Sequence, residues 1–299
     1  MNISFIFPGQ GSQYKGMGKN LFNKFDYAKY LFTMSNEILE YDLKSICLNE
    51  NNNDIDKTKY TQPAIFIYSM IIDYLLKDSG YNPISFAGHS LGEYSALVSS
   101  KCISFENALK IIKVRAEGMH SSEEKDAGKM AAIINSDLTV INQLIKRYKG
   151  SIVIANYNSL NQTVVSGKSK SIDQLINYSK KNNIKVIPLK VSGAFHSPLM
   201  NNAKISLKKI INSTKFYDII QPIYQNVNPM KNFKSINIKN NLIKQLTSPV
   251  KWVDTINNMG KDGSNQFIEV GPGSTLSKLN KNINSNILCT NCNKLKELL

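Results

Sequence analysis

Pro83-Ile-Ser-Phe-Ala-Gly88-His89-Ser90-Leu91-Gly92, followed by Glu93-Tyr-Ser-Ala-Leu-Val-Ser99, decides the fold. A short apolar run ends in Gly-His-Ser-Leu-Gly, and a helical pattern begins at Leu91. This is G-x-S-x-G in the strand–turn–helix context that a nucleophile elbow requires. Glycine on either side lets the backbone turn sharply without Cβ clashes, and the turn lifts Ser90 Oγ off the carboxyl edge of a sheet. A helix N-terminus behind it directs positive dipole at a developing anion.

Outward from this turn, strands and helices alternate. Ile3–Phe7 reads as a buried strand running into the loop Pro8-Gly-Gln-Gly-Ser12. Residues 21–48 have helical spacing, 49–58 are a polar loop, and Pro63–Leu76 predicts a buried helix opened by Pro63. Residues 128–194 have their own order: strand 129–135, helix 137–148, strands 151–155 and 163–166 joined by an Asn-rich turn, helix 171–181 and strand 185–191. That β-α-β-β-α-β order predicts a ferredoxin-like subdomain. The expected architecture is an α/β-hydrolase-like body with a parallel sheet, residues 1–126 and 195–299, interrupted by a small subdomain at 127–194. A helix at 198–212, a strand at 222–226, helices near 238–247 and 249–259, and a strand at 266–270 complete the body, with 280–286 a solvated loop.

A serine nucleophile needs a base. The three histidines are His89, His120 and His196. His89 should leave the elbow in another direction, and His120 sits on a helix. His196, in Val191-Ser-Gly-Ala-Phe-His-Ser-Pro198, lies where a strand ends and a helix opens with Ser197 as cap and Pro198 at its first position. It is the candidate base. No acid between Ser90 and His196 is placed to orient it, which points to a neutral acceptor.

These motifs resemble malonyl-CoA:acyl carrier protein transacylase. The resemblance rests on Phe7-Pro-Gly-Gln-Gly-Ser-Gln13, Gly88-His-Ser-Leu-Gly-Glu-Tyr94, the Arg115 helix, Gly193-Ala-Phe-His196, Gln245-Leu-Thr-Ser-Pro-Val-Lys-Trp252 and Glu269-Val-Gly-Pro-Gly273, in order along nearly the whole chain. It implies malonyl transfer through a malonyl-serine, with Ser90 as nucleophile and His196 as base oriented by the Gln245 carbonyl. Backbone N–H groups of Gln10 and Leu91 would form the oxyanion hole. Arg115 would grip the malonyl carboxylate, Phe195 would crowd out a branched acyl unit, and Gln62 and Asn158 would line the site. His120 departs from the Gln that many members carry after Met119. The resemblance further implies malonyl-CoA and an acidic acyl carrier protein as partners, no cofactor and a monomer.

Composition narrows the alternatives. The chain has 299 residues, 42% hydrophobic and 20% charged, which excludes wholesale disorder. Its net charge of +15 comes from 35 Lys and two Arg (Arg115 and Arg147) against 22 acids. The lysines are spread along the chain with no base-stacking module, so nucleic acid is not the expected partner. Two sources of the excess stay open: a basic rim steering an acidic carrier protein and the phosphates of CoA, and a coding bias that loads the chain with Lys and Asn. A thioesterase or serine hydrolase with the same elbow is the alternative enzyme. No apolar run is long enough to span a membrane, and no signal peptide is visible. Four cysteines, with one CxxC at Cys289–Cys292 lacking a second pair, predict neither a disulfide framework nor zinc. The expected setting is the cytoplasm, or a plastid for a eukaryotic source.

Overall fold

The structure is a computed structural model that describes residues 2–125, 128–191 and 193–292. The chain opens with β1 (Ile3–Phe7), α1 (Lys19–Lys24), α2 (Asp26–Leu39), α3 (Leu43–Leu48) and α4 (Thr58–Asp78). It continues through β2 (Ser85–Gly88), α5 (Gly92–Ser99) and α6 (Phe105–Lys125). The next group is β3 (Gly128–Ile134), α7 (Leu138–Lys146), β4 (Ile152–Ser159), β5 (Gln162–Lys168), α8 (Ser169–Lys181) and β6 (Lys185–Pro188). After a 3₁₀ turn at Pro198–Met200 come α9 (Asn201–Ser213), β7 (Ile223–Tyr224), β8 (Lys231–Asn232), α10 (Ser235–Gln245) and α11 (Trp252–Lys261). The described chain closes with β9 (Gln266–Glu269), α12 (Thr275–Lys281) and β10 (Leu288–Asn291).

Two sheets organise these elements. The larger has the order β10-β9-β1-β2-β7-β8 and is parallel except for the β7–β8 pair. Its strands are apolar on both faces because helices cover both. Side chains alternate across it: Phe5, Phe7 and Phe86 point into the large core with α4 and α6, whereas Ile6 and Ala87 meet Trp252, Ile256 and Phe267 on the opposite face. Burying each Phe or Ile of this set stabilises by about 1.5–3 kcal/mol. The smaller sheet, β4-β5-β3-β6, is antiparallel throughout. Ala131 and Ile133 of β3 pack under α7 and α8, while Met130 and Ala132 turn back to the main core. Val250 fastens the two sheets, its N–H donating to Ala155 O at 2.8 Å and its carbonyl accepting from Tyr157 N–H at 2.9 Å.

Several expectations need correction. Pro63 lies inside α4 rather than opening it. Proline has no N–H for the carbonyl four residues back, and that carbonyl, on Lys59, instead accepts from the Tyr41 hydroxyl at 3.2 Å. The 21–48 stretch is three helices, broken by extended Phe25 and by Glu40 in the left-handed region (φ 63°). Asn156 and Asn158 belong to β4, and the turn into β5 is only Leu160-Asn161. The last strand of the small sheet stops at Pro188. The start of the loop expected over 280–286 is helix: Asn280 is buried in α12, where its Oδ1 accepts from Trp252 Nε1–H at 2.9 Å. The boundary expected at 126/127 lies outside the described residues.

Candidate active site

Between β2 and α5 only His89, Ser90 and Leu91 turn the chain. A Cβ on Gly88 would sit 1.9 Å from the Gly92 carbonyl carbon, and one on Gly92 would sit 2.0 Å from Phe7 O, so neither position admits a side chain. Ser90 is held at φ 51°, a left-handed conformation that costs a residue with a side chain about 1–3 kcal/mol. Asn226, two residues beyond β7, holds it there. Asn226 Oδ1 accepts from Ser90 N–H at 2.8 Å and its Nδ2 donates to Gly88 O at 2.6 Å. The backbone N–H of Asn226 donates in turn to Glu93 Oε1 at 2.9 Å. Gln245 Nε2 closes the ring, donating to Ser90 O at 2.8 Å and to Glu93 Oε2.

The structure brings His196 to this turn. It too has a left-handed backbone, φ 57°, in a tight bend ended by Ser197, whose Oγ donates to Ala194 O and accepts from Leu199 N–H. Ser90 Oγ–H donates to His196 Nε2 at 2.8 Å. His196 Nδ1–H is shared between the carbonyls of Gln245 at 3.0 Å and Ser248 at 3.1 Å. Two acceptors on Nδ1 fix the proton there and leave Nε2 as the acceptor, the tautomer that a base requires. Burial pushes the imidazole pKa down to about 3, assisted by the nearby Arg115 cation. The ring is therefore neutral at physiological pH.

Arg115 rises from α6 and is only 1% exposed. Its Nη1 donates to Gln62 Oε1 at 2.6 Å. Its Nη2 donates to Ser90 Oγ at 3.0 Å and more weakly to Gln245 Oε1 at 3.3 Å. Nε–H is buried without a partner. The guanidinium also lies 5.6 Å from the Tyr94 ring centre. Burial lowers its pKa, yet a guanidinium stays charged in proteins. Glu93, fully buried at the start of α5, has its carboxyl pKa raised to about 7, chiefly by burial.

A cavity of about 240 Å³ lies between the sheets over Ser90, with Gln10, Leu91, Arg115, Phe195 and Asn158 among its walls. Gln62 and Gln245, by contrast, stand behind Arg115. Gln62, expected to line the site, supports the guanidinium instead. Asn158 is held on the wall by His89 Nε2–H, which donates to its Oδ1 at 2.9 Å, and by its own bond to Gln162 Oε1. His89 does leave the elbow the other way, its ring edge-on to Trp252. Met119 reaches the cavity, and its neighbour His120 is half-buried on α6.

Four contributors escaped the sequence reading: Asn226, the Glu93 side chain, the Ser248 carbonyl and α12. Glu93 offered a signal, an acid in the first turn of an otherwise apolar helix. Asn226 offered a weaker one, an amide where a strand reaches the edge that carries the elbow. Helix α12, whose Thr275, Leu276 and Leu279 wall the cavity, is capped from another element. Glu269 of β9 accepts from Leu276 N–H, Ser277 N–H and Ser277 Oγ–H at 2.9, 2.9 and 2.7 Å. Its carboxyl pKa is raised, chiefly by burial. Cys292, of the CxxC pair, is buried with its Sγ donating to Gly271 O.

The family model described as an acyl transferase domain matches residues 4–287. The malonyl CoA-acyl carrier protein transacylase of Bacillus subtilis (strain 168) is 39% identical over 286 residues, 94% of this chain and 90% of that one. The crystal structure of the malonyl-CoA:ACP transacylase of Synechocystis sp. PCC 6803 superposes with a TM-score of 0.92 at 34% identity, covering 100% of this chain and 99% of that one. A malonyl-transacylase solved in complex with its type II PKS acyl-carrier protein superposes with a TM-score of 0.91 at 31% identity, over 97% of this chain and 95% of that one. Shared sequence over nearly the full length and a shared fold lead to one assignment: the chain belongs to the malonyl CoA-acyl carrier protein transacylase family of acyl transferases.

Proposed function

We propose that the chain moves a malonyl group from malonyl-CoA to the phosphopantetheine thiol of an acyl carrier protein through a malonyl-Ser90 ester, supplying fatty acid chain elongation. The relay Ser90 Oγ–His196 Nε2, backed by two carbonyls on Nδ1 and with Arg115 at 3.0 Å from the nucleophile, carries this reading. His196 takes the Ser90 proton as Oγ attacks the thioester carbonyl. The N–H groups of Gln10 and Leu91, both on the cavity wall, receive the oxyanion. The C–S bond breaks, the CoA sulfur takes the proton from His196, and malonyl-Ser90 remains. The carrier thiol then enters, gives its proton to His196 and reverses the sequence. Arg115 grips the malonyl carboxylate in a fork that Lys cannot copy. Phe195 and Asn158 shape the acyl space.

The larger sheet with its elbow supports an α/β-hydrolase-like body, residues 1–126 and 195–299. The β4-β5-β3-β6 order supports a ferredoxin-like insert at 127–194. Exposed Lys190 and Lys278 adjoin the wall residues Leu189, Val191 and Leu279, which supports a basic rim toward an acidic carrier. The enzyme would act without a cofactor, as a monomer, in the cytoplasm. Among the described residues no helix is long and apolar enough to cross a membrane.

The test is incubation with radiolabelled malonyl-CoA and no acceptor. Label should stay on Ser90 and be absent from Ser90→Ala. Undiminished labelling of that variant overturns the assignment, and rapid release of free malonate points to a thioesterase.

A further inference from the structure

The clip on the nucleophile and the carbonyl behind the base are joined through one buried side chain. Glu93 stands in the first turn of α5 and is fully buried. Its Oε1 accepts from Asn226 N–H at 2.9 Å, and Asn226 Oδ1 in turn accepts from Ser90 N–H at 2.8 Å. Its Oε2 accepts from Gln245 Nε2, and the Gln245 carbonyl accepts from His196 Nδ1–H at 3.0 Å. The Gln245 amide has only one workable orientation, because Arg115 only donates to it whereas Ser90 O and Glu93 Oε2 only accept. The Glu93 carboxyl therefore meets one donor on each oxygen. A carboxylate satisfies both. In a neutral carboxyl one oxygen becomes a hydroxyl, a much weaker acceptor, so one of the two links slackens.

We propose that Glu93 is a positioning residue for both Ser90 and His196, and that its carboxylate form, not its neutral acid, holds the pair in attacking geometry. The proposal rests on the transfer reading above, in which these two residues react, and adds a group that sets how fast they do so. Helix α5 packs on β1, β2, α4 and α6. The two strands carry no titratable side chain, and α4 sets Asp73 and Lys77 on Ser99, at the far end of α5. From α6 comes Arg115, whose cation favours the carboxylate. Burial pushes the pKa of the adjacent Tyr94 phenol up, so it stays neutral. Asn226 and Gln245 are amides, and His196 is already neutral. Burial of Glu93 outweighs these attractions and raises its pKa to about 7, so both forms are reached near neutrality. That value lies above the ordinary 4.5, so the stability this group contributes is complete below the ordinary pKa and is lost as pH rises through the folded one. Protonation thus favours the fold while it slackens the site, and rate and stability part as pH falls. A residue that only supported the fold would move both together.

The test is the pH profile of Ser90 sulfonylation by phenylmethanesulfonyl fluoride, an uncharged reagent, so no substrate ionisation enters. In wild type the rate should fall about tenfold from about pH 8 to about pH 5.5, less than the hundredfold that a misplacement of about 1 Å can cost, because one link of the ring opens and the rest hold. The inflection should lie near 7. It should hardly move on warming, since carboxyl ionisation takes up little heat, whereas a histidine inflection drops. Glu93→Gln, with an amide N–H₂ in place of one acceptor oxygen, should react at the slow rate at every pH. Should that variant not fold, the temperature series on wild type decides alone. A flat wild-type profile, an inflection retained in Glu93→Gln, or one that drops on warming overturns the proposal. Normal malonyl labelling of Ser90 in the same preparation would show that the transfer reading survives that failure.

Discussion

Replacing Asn226 by Ala should damage stability and catalysis together. Asn226 is fully buried, and its side chain makes two bonds to the elbow: Oδ1 from Ser90 N–H at 2.8 Å and Nδ2 to Gly88 O at 2.6 Å. Truncation leaves a backbone donor and a backbone acceptor buried with no partner. Each such group costs about 1–3 kcal/mol, so the expected loss is about 2–6 kcal/mol, a large part of the 5–15 kcal/mol typical of a folded domain. The bond to Glu93 comes from the Asn226 backbone and survives. Without its clip, Ser90 can relax from φ 51° and move Oγ off His196, and a misplacement of about 1 Å can cost about a hundredfold in rate. Urea unfolding at fixed pH reads the first effect, and the single-turnover rate of malonyl-Ser90 formation reads the second. Asn226→Asp keeps the acceptor for Ser90 but must stay protonated to donate to Gly88 O, so its stability should fall as pH rises. A loss below about 1 kcal/mol for Asn226→Ala, with an unchanged loading rate, would refute the assignment of the elbow's strain to this clip.

Gly88→Ala should prevent native folding, because its Cβ would lie 1.9 Å from backbone; soluble, active protein would contradict the close approach. Glu269→Gln turns one acceptor of the α12 cap into a donor facing donors, and should cost about 1–3 kcal/mol in thermal unfolding. With the His196 pKa lowered to about 3, the base is already neutral at mildly acidic pH. In Glu93→Gln, which removes the other group titrating near neutrality, the acid limb of kcat/KM for acetyl-CoA should therefore show no inflection near 6.5, where an unperturbed histidine titrates. An inflection there that moves with substitutions around His196 would count against a buried neutral base.

The parts of this molecule that were legible in sequence are those where local chemistry leaves few options. Gly88 and Gly92 sit where backbone meets backbone, so only one residue type fits each place. Strand Ile3–Phe7 shows as an unbroken apolar run because both of its faces are covered, and the helices of the small βαββαβ unit show in the apolar period because one face of each packs on its sheet. The lone Arg of the α6 helix stood out against a chain that otherwise uses Lys. What could not be read depends on distant partners. Pro63 is tolerated mid-helix because Tyr41, on another element, takes the carbonyl that proline leaves open. The Asn-rich stretch before Leu160 looks like a turn by composition, yet Asn156 and Asn158 are strand residues, Asn158 with its side chain bonded to His89 and Gln162. Helix α12 has a weak sequence signal of its own and takes its cap from Glu269 across the chain.

The missing acid behind His196 follows from the same electrostatics as the choice of Arg115. A carboxylate on Nδ1 would raise the basicity of the imidazole, but it would also place a permanent anion a few ångströms from the guanidinium. That anion would compete with the substrate for the one buried cation of the site. Carbonyls of Gln245 and Ser248 orient the ring without adding charge. The acid nearest the nucleophile, Glu93, is kept from filling that role. Both its oxygens are engaged, by Asn226 N–H and Gln245 Nε2, and burial raises its pKa to about 7, so part of the population is neutral. The hydrogen-bond acceptors that hold Arg115, Gln62, Gln245 and the Ser90 hydroxyl, are all neutral, and Glu93 acts on it only through space. A buried guanidinium with neutral hydrogen-bond acceptors favours an incoming carboxylate over the groups that already hold it, and on the proposed reading this is how donors with a carboxylate are told from those without one.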